Sequence, residues 1–280
     1  MITRLDEIVD AAVARGKKKM IVAYGQDTHS IGATDMAIKA GLVDVTLVGD
    51  PEEIKKSCEA EGVDMSQYTI IPESEDVKAV EMAAVNLRAT HGEVDILINN
   101  AGVVTSNRTF DDYSVEEIDR TMDINAKAPM YVALQLLPAM VKRNSGHICN
   151  IASAAGMIAN PRMSVYVASK WAVIGWSESM RIELKQQRSD VHVTTVAPYY
   201  INTGMFDGVK SPILPILEPE ATARTIIRAI ERNKDFKGIP LGFHLIRLAQ
   251  GLLPTSWFEF IFGRCFGIFS TMDNFTGRKN

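Results

Sequence analysis

Six short apolar runs recur along this chain, with helical stretches between them. They read MIVAY, VDVTLVGD, YTII, VDILIN, HICNIAS and VHVTTVAPYY. No other feature constrains the fold as much. Parallel neighbours need a crossover connection, and crossover helices then cover both faces of the sheet. The pattern predicts an α/β chain: a doubly wound parallel sheet in a Rossmann-like three-layer sandwich. Ahead of the first run, Leu5, Ile8, Val9, Ala12 and Val13 share one helical face, and Gly16 ends it. With 280 residues and 46% hydrophobic content, such a sandwich can fill its core.

Composition excludes several classes of function. A net charge of −4 gives no sign of a nucleic-acid surface. Cys58, Cys149 and Cys265 are odd in number and far apart, so we expect buried thiols in a reducing compartment, with no disulfide framework and no metal site. The start, MITRLDEIVDAA, carries acids where a leader would be basic and then apolar. No uncharged apolar run reaches the roughly 18 residues that a membrane span requires. The expectation is a cytoplasmic protein.

The chemistry concentrates in SAAGMIANPRMSVYVASK, residues 153–170. Tyr166 and Lys170 stand four apart, one above the other on a helix face. A free tyrosine titrates near pH ~10, and a lysine ammonium beside it can lower that by roughly 1–3 units. Tyr166 would then serve as an acid/base near neutrality. Ser153, at the end of HICNIAS, can hold a substrate oxygen beside the phenol.

Further elements stand in the same order around this stretch. VDILINNAGV (94–103), DINAKAP with Asn125, Ser153, Tyr166-x-x-x-Lys170 and VAPYYINTGMF (196–206) resemble the short-chain dehydrogenase/reductase family from about residue 89 to 280. ASAAGMIA, TGMFDGVK and TMDNFTGR look most like its branch acting on retinol, hydroxysteroids and long-chain alcohols. The resemblance implies Asn125, Ser153, Tyr166 and Lys170 as catalytic. In the family the asparagine perturbs its helix and holds a water in a proton relay to the lysine. Asn99, Ala101, Gly102, Tyr166, Lys170, Pro198 and Thr203 would bind NAD or NADP. His147 and His192 read as structural.

Residues 1–87 differ. KKKMIVAYGQDTHSIGATDMAIKAGLVDVTLVGDPEEIKK resembles the N-terminal segment of phosphate acetyl- and butyryltransferases. Charge shifts at the same place, with 16 acids against 10 Lys and Arg in residues 1–88 and 18 against 20 after them. The chain therefore reads as a chimera: one Rossmann-like domain over 1–250, joined near 88, and an aromatic-rich extension over 251–280. One continuous sheet is expected. The family's glycine-rich phosphate loop is matched only by Gly25 and Gly32, with Ser30 at the middle glycine and Asp27 adding negative charge. Gly25 and Gly32 serve either a phosphate or a turn and its packing. Asp50 either binds the ribose hydroxyls, which favours NAD, or caps the helix after Pro51.

Met205, Phe206, Ile213, Leu214, Ile216 and Leu217 make residues 204–240, which close over substrate in this family, apolar. An apolar alcohol, ketone or aldehyde is the expected substrate. Seven of the ten phenylalanines lie from Phe243 on, and Phe258, Phe262 and Phe266 share a helix face. That helix packs on the core or an oligomer partner, or lies on a membrane. The leading reading is an NAD(P)-dependent oxidoreductase, expected as a homo-oligomer. The others are a silent scaffold and a phosphate acyltransferase.

Overall fold

The computed structural model describes residues 18–23, 25–26, 28–211, 214–240 and 242–277. The helix expected over 2–16, together with Asp27 and Ile213, lies outside them. Contacts divide the chain into two compact units, Met1–Val94 with Leu134–Leu136, and Asp95–Ala133 with Leu137–Asn280.

The first unit runs β1 (Lys18–Ala23), α1 (Thr28–Lys39), β2 (Val43–Gly49), α2 (Pro51–Glu61), β3 (Thr69–Pro72) and α3 (Asp76–His91). Its strands pair in parallel in the order β1-β2-β3, with Ile21 opposite Thr46 and Leu47 opposite Ile70. Successive side chains of a strand point to opposite faces. Leu47 accordingly packs with Ile31 and Ile54, while Val48 packs with Ala79 and Ala83. Both faces are covered, which is why VDVTLVG lacks clean alternation. Sequence also sets the bounds of α2. Asp50 accepts from the amides of Glu52 and Glu53, Pro51 opens the first turn, and Gly62 closes the helix at φ 65°.

The second unit runs β4 (Ile96–Asn99), α4 (Val115–Met122), α5 (Ala128–Lys142), β5 (Gly146–Ile151), α6 (Ser164–Gln186), β6 (Val191–Pro198), α7 (Pro219–Glu231), β7 (Phe236–Ile239), α8 (Phe243–Leu252) and α9 (Thr255–Phe258). Its sheet is parallel, in the order β4-β5-β6-β7. Ser114 and Glu117 form a reciprocal capping box that starts α4.

Two expectations need correction. The described strands form two hydrogen-bonded sheets instead of one, because β1 pairs only with β2 and β4 only with β5. Within residues 204–240 lie α7 and the edge strand β7. Cys58 and Cys149 are buried free thiols, but Cys265 is exposed. The C-terminal stretch packs into the second unit through Phe258, Ile268 and Met272, all in its main core cluster. Phe258 tilts against Phe262 with centroids 4.5 Å apart, and Phe262 stacks on Phe266 at 5.3 Å. Leu252, Trp257 and Phe260 face outward. No described helix is long and apolar enough to cross a membrane.

Candidate active site

Tyr166 and Lys170 lie in the first two turns of α6 and are both buried, at 6% and 4% exposure. The Lys170 ammonium sits 5.7 Å from the centre of the Tyr166 ring and donates to the carbonyl of Ile151 at 3.1 Å. Ser153 follows β5, where its hydroxyl accepts from the amide of Ala155 at 3.2 Å. The same hydroxyl hydrogen-bonds the Tyr166 phenol. Three residues thirteen and four apart in sequence thus meet where β5 ends, at the carboxyl edge at which ligands gather in open α/β sheets.

Burial reverses the expected acidity of the pair. It pushes the Tyr166 phenol up to about 12, offset only in part by the Ser153 hydrogen bond. The same burial pulls Lys170 down to about 8. Both charged forms lose hydration, and that loss outweighs their mutual attraction across the ring. At neutral pH the phenol keeps its proton.

Asn125 does lie where the helix is perturbed, in a π-turn over Asp123–Lys127 between α4 and α5. Its amide makes direct bonds. Oδ1 accepts from the amide of Val103 at 2.7 Å, and Nδ2 donates to the Val103 carbonyl at 2.9 Å and to Ser169 Oγ at 3.1 Å. Asn125 therefore clamps the coil after β4 onto α6. Gly102 is part of that coil, and a methyl there would lie 3.4 Å from both Asn125 Oδ1 and Lys170 Nζ. Ala101 is exposed beside it.

Asn99 donates to Asn150 Oδ1 at 2.7 Å, Asn150 to Ser177 Oγ at 2.8 Å, and Ser177 to the Val173 carbonyl at 2.6 Å. This chain of bonds fixes the end of β4 to α6 through β5. Asn150 and Ser177 went unread in the sequence, although a lone amide inside the apolar run HICNIAS was a signal for the first. His147 is structural, bonded to Thr194 at 2.8 Å. Pro198 is buried at the end of β6, and Thr203 is exposed in the bend beyond it.

The remaining candidates belong to the first unit. Gly25 is buried, and a methyl there would meet Val22 and Leu47 at 3.0 and 3.1 Å. Gly32 lies inside α1 and not in the loop ahead of it, and a methyl there would lie 3.4 Å from a Glu61 carboxylate oxygen. Asp50 caps α2 with Oδ1, while its own amide donates to Gln26 at 2.7 Å.

A pocket with about 420 Å³ of space, part of it open solvent, lies against Ser153 and Tyr166. Its lining carries no charged side chain. Phe206 stands edge-on to Tyr166 at 6.1 Å and to Tyr200 at 4.9 Å, so the walls are largely aromatic and aliphatic. Among the described residues no group of His, Cys, Asp or Glu has metal-binding geometry. The arrangement can hold an uncharged oxygen between a hydroxyl and a phenol and pass it a proton.

Comparison with known proteins agrees with that chemistry. The chain is 39% identical over 192 residues to epidermal retinol dehydrogenase 2 of Mus musculus, across 67% of this chain and 62% of that protein. It thus spans less than two thirds of that relative. It is 30% identical over 243 residues to estradiol 17-beta-dehydrogenase 11 of Pongo abelii, across 85% of this chain and 80% of the other. Among solved structures, a closed form of serine dehydrogenase complexed with NADP+ superposes with a TM-score of 0.58 at 25% identity, over 79% of this chain and 94% of that one. The family described as short chain dehydrogenase matches residues 34–213, which reaches back across the expected join at 88. The chain belongs to the short chain dehydrogenase family.

Proposed function

We propose that this chain is an NAD(P)-dependent oxidoreductase that interconverts an apolar alcohol and its carbonyl compound. One observation carries the reading: Ser153 and the buried Tyr166 line one pocket without charged side chains, with the buried Lys170 ammonium 5.7 Å from the Tyr166 ring. The second unit fits the nicotinamide end of a dinucleotide. The coil from Asn100 to Val103 is held open over Lys170, with no side chain at Gly102 to fill the approach. When bound, the dinucleotide supplies the ring that accepts or donates hydride.

The chain's own residues handle the oxygen and its proton. Ser153 Oγ orients the substrate oxygen, and Tyr166 Oη gives a proton to a carbonyl or takes one from an alcohol. Because the phenol stays protonated at neutral pH, the folded site already holds the proton that carbonyl reduction needs. Lys170 sits below Gly102, within reach of a nicotinamide ribose. Retinol-like and hydroxysteroid-like alcohols match the uncharged walls and the retinol and estradiol dehydrogenases to which the chain is similar.

A second reading rests on the first unit. Gly32 is helical and Asp50 is engaged as a cap, so the adenosine end of the dinucleotide is held weakly or not at all. The Asp50 carboxylate favours NAD over NADP where it does bind. The transferase-like character of residues 1–87 remains a reading of origin, supported by the missing glycine at Ser30. The outward Leu252, Trp257 and Phe260 support peripheral contact with a membrane. The decisive experiment measures oxidation of retinol, hydroxysteroids and long-chain alcohols with NAD and NADP in turn. Turnover with at least one pair supports the proposal, and a complete lack of cofactor-dependent turnover refutes it.

A further inference from the structure

One wall of the pocket is held in place by a distant part of the chain. Phe206 lines the pocket together with Tyr166 and Tyr200 and packs edge-on to both. Its ring also lies against Phe275, with centroids 6.4 Å apart. The next carbonyl, that of Asp207, accepts from the Thr276 amide at 2.9 Å, the Gly277 amide at 3.2 Å and the Thr276 hydroxyl at 3.2 Å. Further along the loop, the Lys210 amide donates to the Thr271 carbonyl at 3.2 Å. Between these points Gly208 turns at φ 82°, where a methyl would collide with the Asn274 carbonyl oxygen and stand 2.9 Å from the Thr276 nitrogen. Residues 271–277 thus strap the loop that carries Phe206, with no room for a side chain between the two backbones at Gly208. Thr271 ties the same strap to two more lining residues. Its hydroxyl accepts from Asn160 Nδ2 at 3.1 Å and lies 3.0 Å from Tyr200 Oη.

A wall of this kind resists a bulky ligand. The Phe206 ring meets three other rings, and its backbone retreats only if the bonds to the strap break. The space itself is modest: about 420 Å³, part of it open solvent, against the roughly 300–1,000 Å³ of ligand pockets in general. We propose that Phe206 is a specificity-determining residue, positioned by the 271–277 strap, that makes the pocket select slender open-chain alcohols over fused-ring ones. The proposal rests on the oxidoreductase reading and narrows its substrate class, but it concerns fit and can be tested apart from turnover. In an apolar pocket one methylene more or less already changes discrimination by about 10–200-fold, so one fixed ring suffices to separate the two classes.

The test measures binding of decanol and of estradiol to the full chain by equilibrium dialysis, with cofactor-dependent turnover of both followed in parallel. Decanol should bind at least about tenfold tighter than estradiol, and Phe206→Ala should cut that preference at least about tenfold by admitting the fused rings. Gly208→Ala keeps the Phe206 ring but forces the loop off the strap, so it should move the preference the same way. A merely structural glycine would lower the melting temperature and leave the preference alone. Should Gly208→Ala fail to fold, Phe275→Ala makes the same test by removing the strap's ring beside Phe206. Equal binding of the two alcohols by the parent, a preference that Phe206→Ala or the strap variant leaves unchanged, or no binding of either alcohol overturns the proposal. A preference that shifts as expected in dialysis, with no turnover of either alcohol, upholds it and instead refutes the oxidoreductase reading.

Discussion

Lys170 shows how burial, more than proximity, sets the charge state of this site. The folded chain binds its proton with a value near 8, against an ordinary 10.5. Between those values the unfolded chain binds more protons at this position, so stability rises with pH across that window. Below it the folded chain carries a buried ammonium at full cost. Lys170→Met should therefore melt higher than the parent at neutral pH, by up to about 3 kcal/mol, and lose that advantage as pH climbs from 8 toward 10. Urea melts of both proteins across that range check this, and a constant gap would show that the ammonium is not penalised. Tyr166 and Lys170 were legible from their spacing of four and Ser153 from its place at the end of HICNIAS, whereas Asn125 was reached only through the family resemblance. Their acidities were not, because desolvation depends on what packs around them. Asn160 was illegible for a similar reason: its partners Tyr200 and Thr271 lie far from it along the chain.

Among the elements, the turn after β5 and the start of α6 are locked together. A methyl on Gly156 would lie 2.7 Å from the Lys170 carbonyl oxygen and 2.6 Å from Ile174 Cδ1. Backbone cannot move there without moving Lys170. Gly156→Ala should cost roughly 1–3 kcal/mol and lower turnover with it, as denaturant melts and kcat together would show. Unchanged stability would mean that the turn is looser than its packing indicates. At the other end of the chain, the aromatic stretch divides by face, with Phe258 enclosed while Leu252 and Trp257 point out. Replacing Leu252 and Trp257 together by glutamate should abolish co-sedimentation with anionic liposomes and leave melting unchanged. Persistent co-sedimentation would dismiss membrane contact through this face. α2 was readable from its end residues Asp50, Pro51 and Gly62. β7 was not, since FKGI is too short to show a period.

At the scale of the whole molecule, alternating strands and helices announced a parallel α/β fold, and both sheets are parallel. What the alternation could not reveal is where the ladder stops, because every run is apolar whether or not both its edges are paired. The two units also differ in how well they suit a dinucleotide. Replacing residues 25–32 by Gly-Ala-Ser-Ser-Gly-Ile-Gly keeps the isoleucine that fills the first unit's core at Ile31 and restores the missing glycine. Each factor of ten in affinity corresponds to about 1.4 kcal/mol, and the swap should strengthen NAD binding by roughly two orders of magnitude. A fluorescence titration that finds equal affinity before and after would clear the native loop of blame. The account as a whole depends on the phenol that moves the proton. The direct measurement is cofactor-dependent turnover of the best apolar alcohol by the parent and by Tyr166→Phe, with both shown to melt cooperatively. The account predicts a loss of roughly 10²–10⁴-fold in kcat, and a variant that keeps most of the parent's turnover would contradict it.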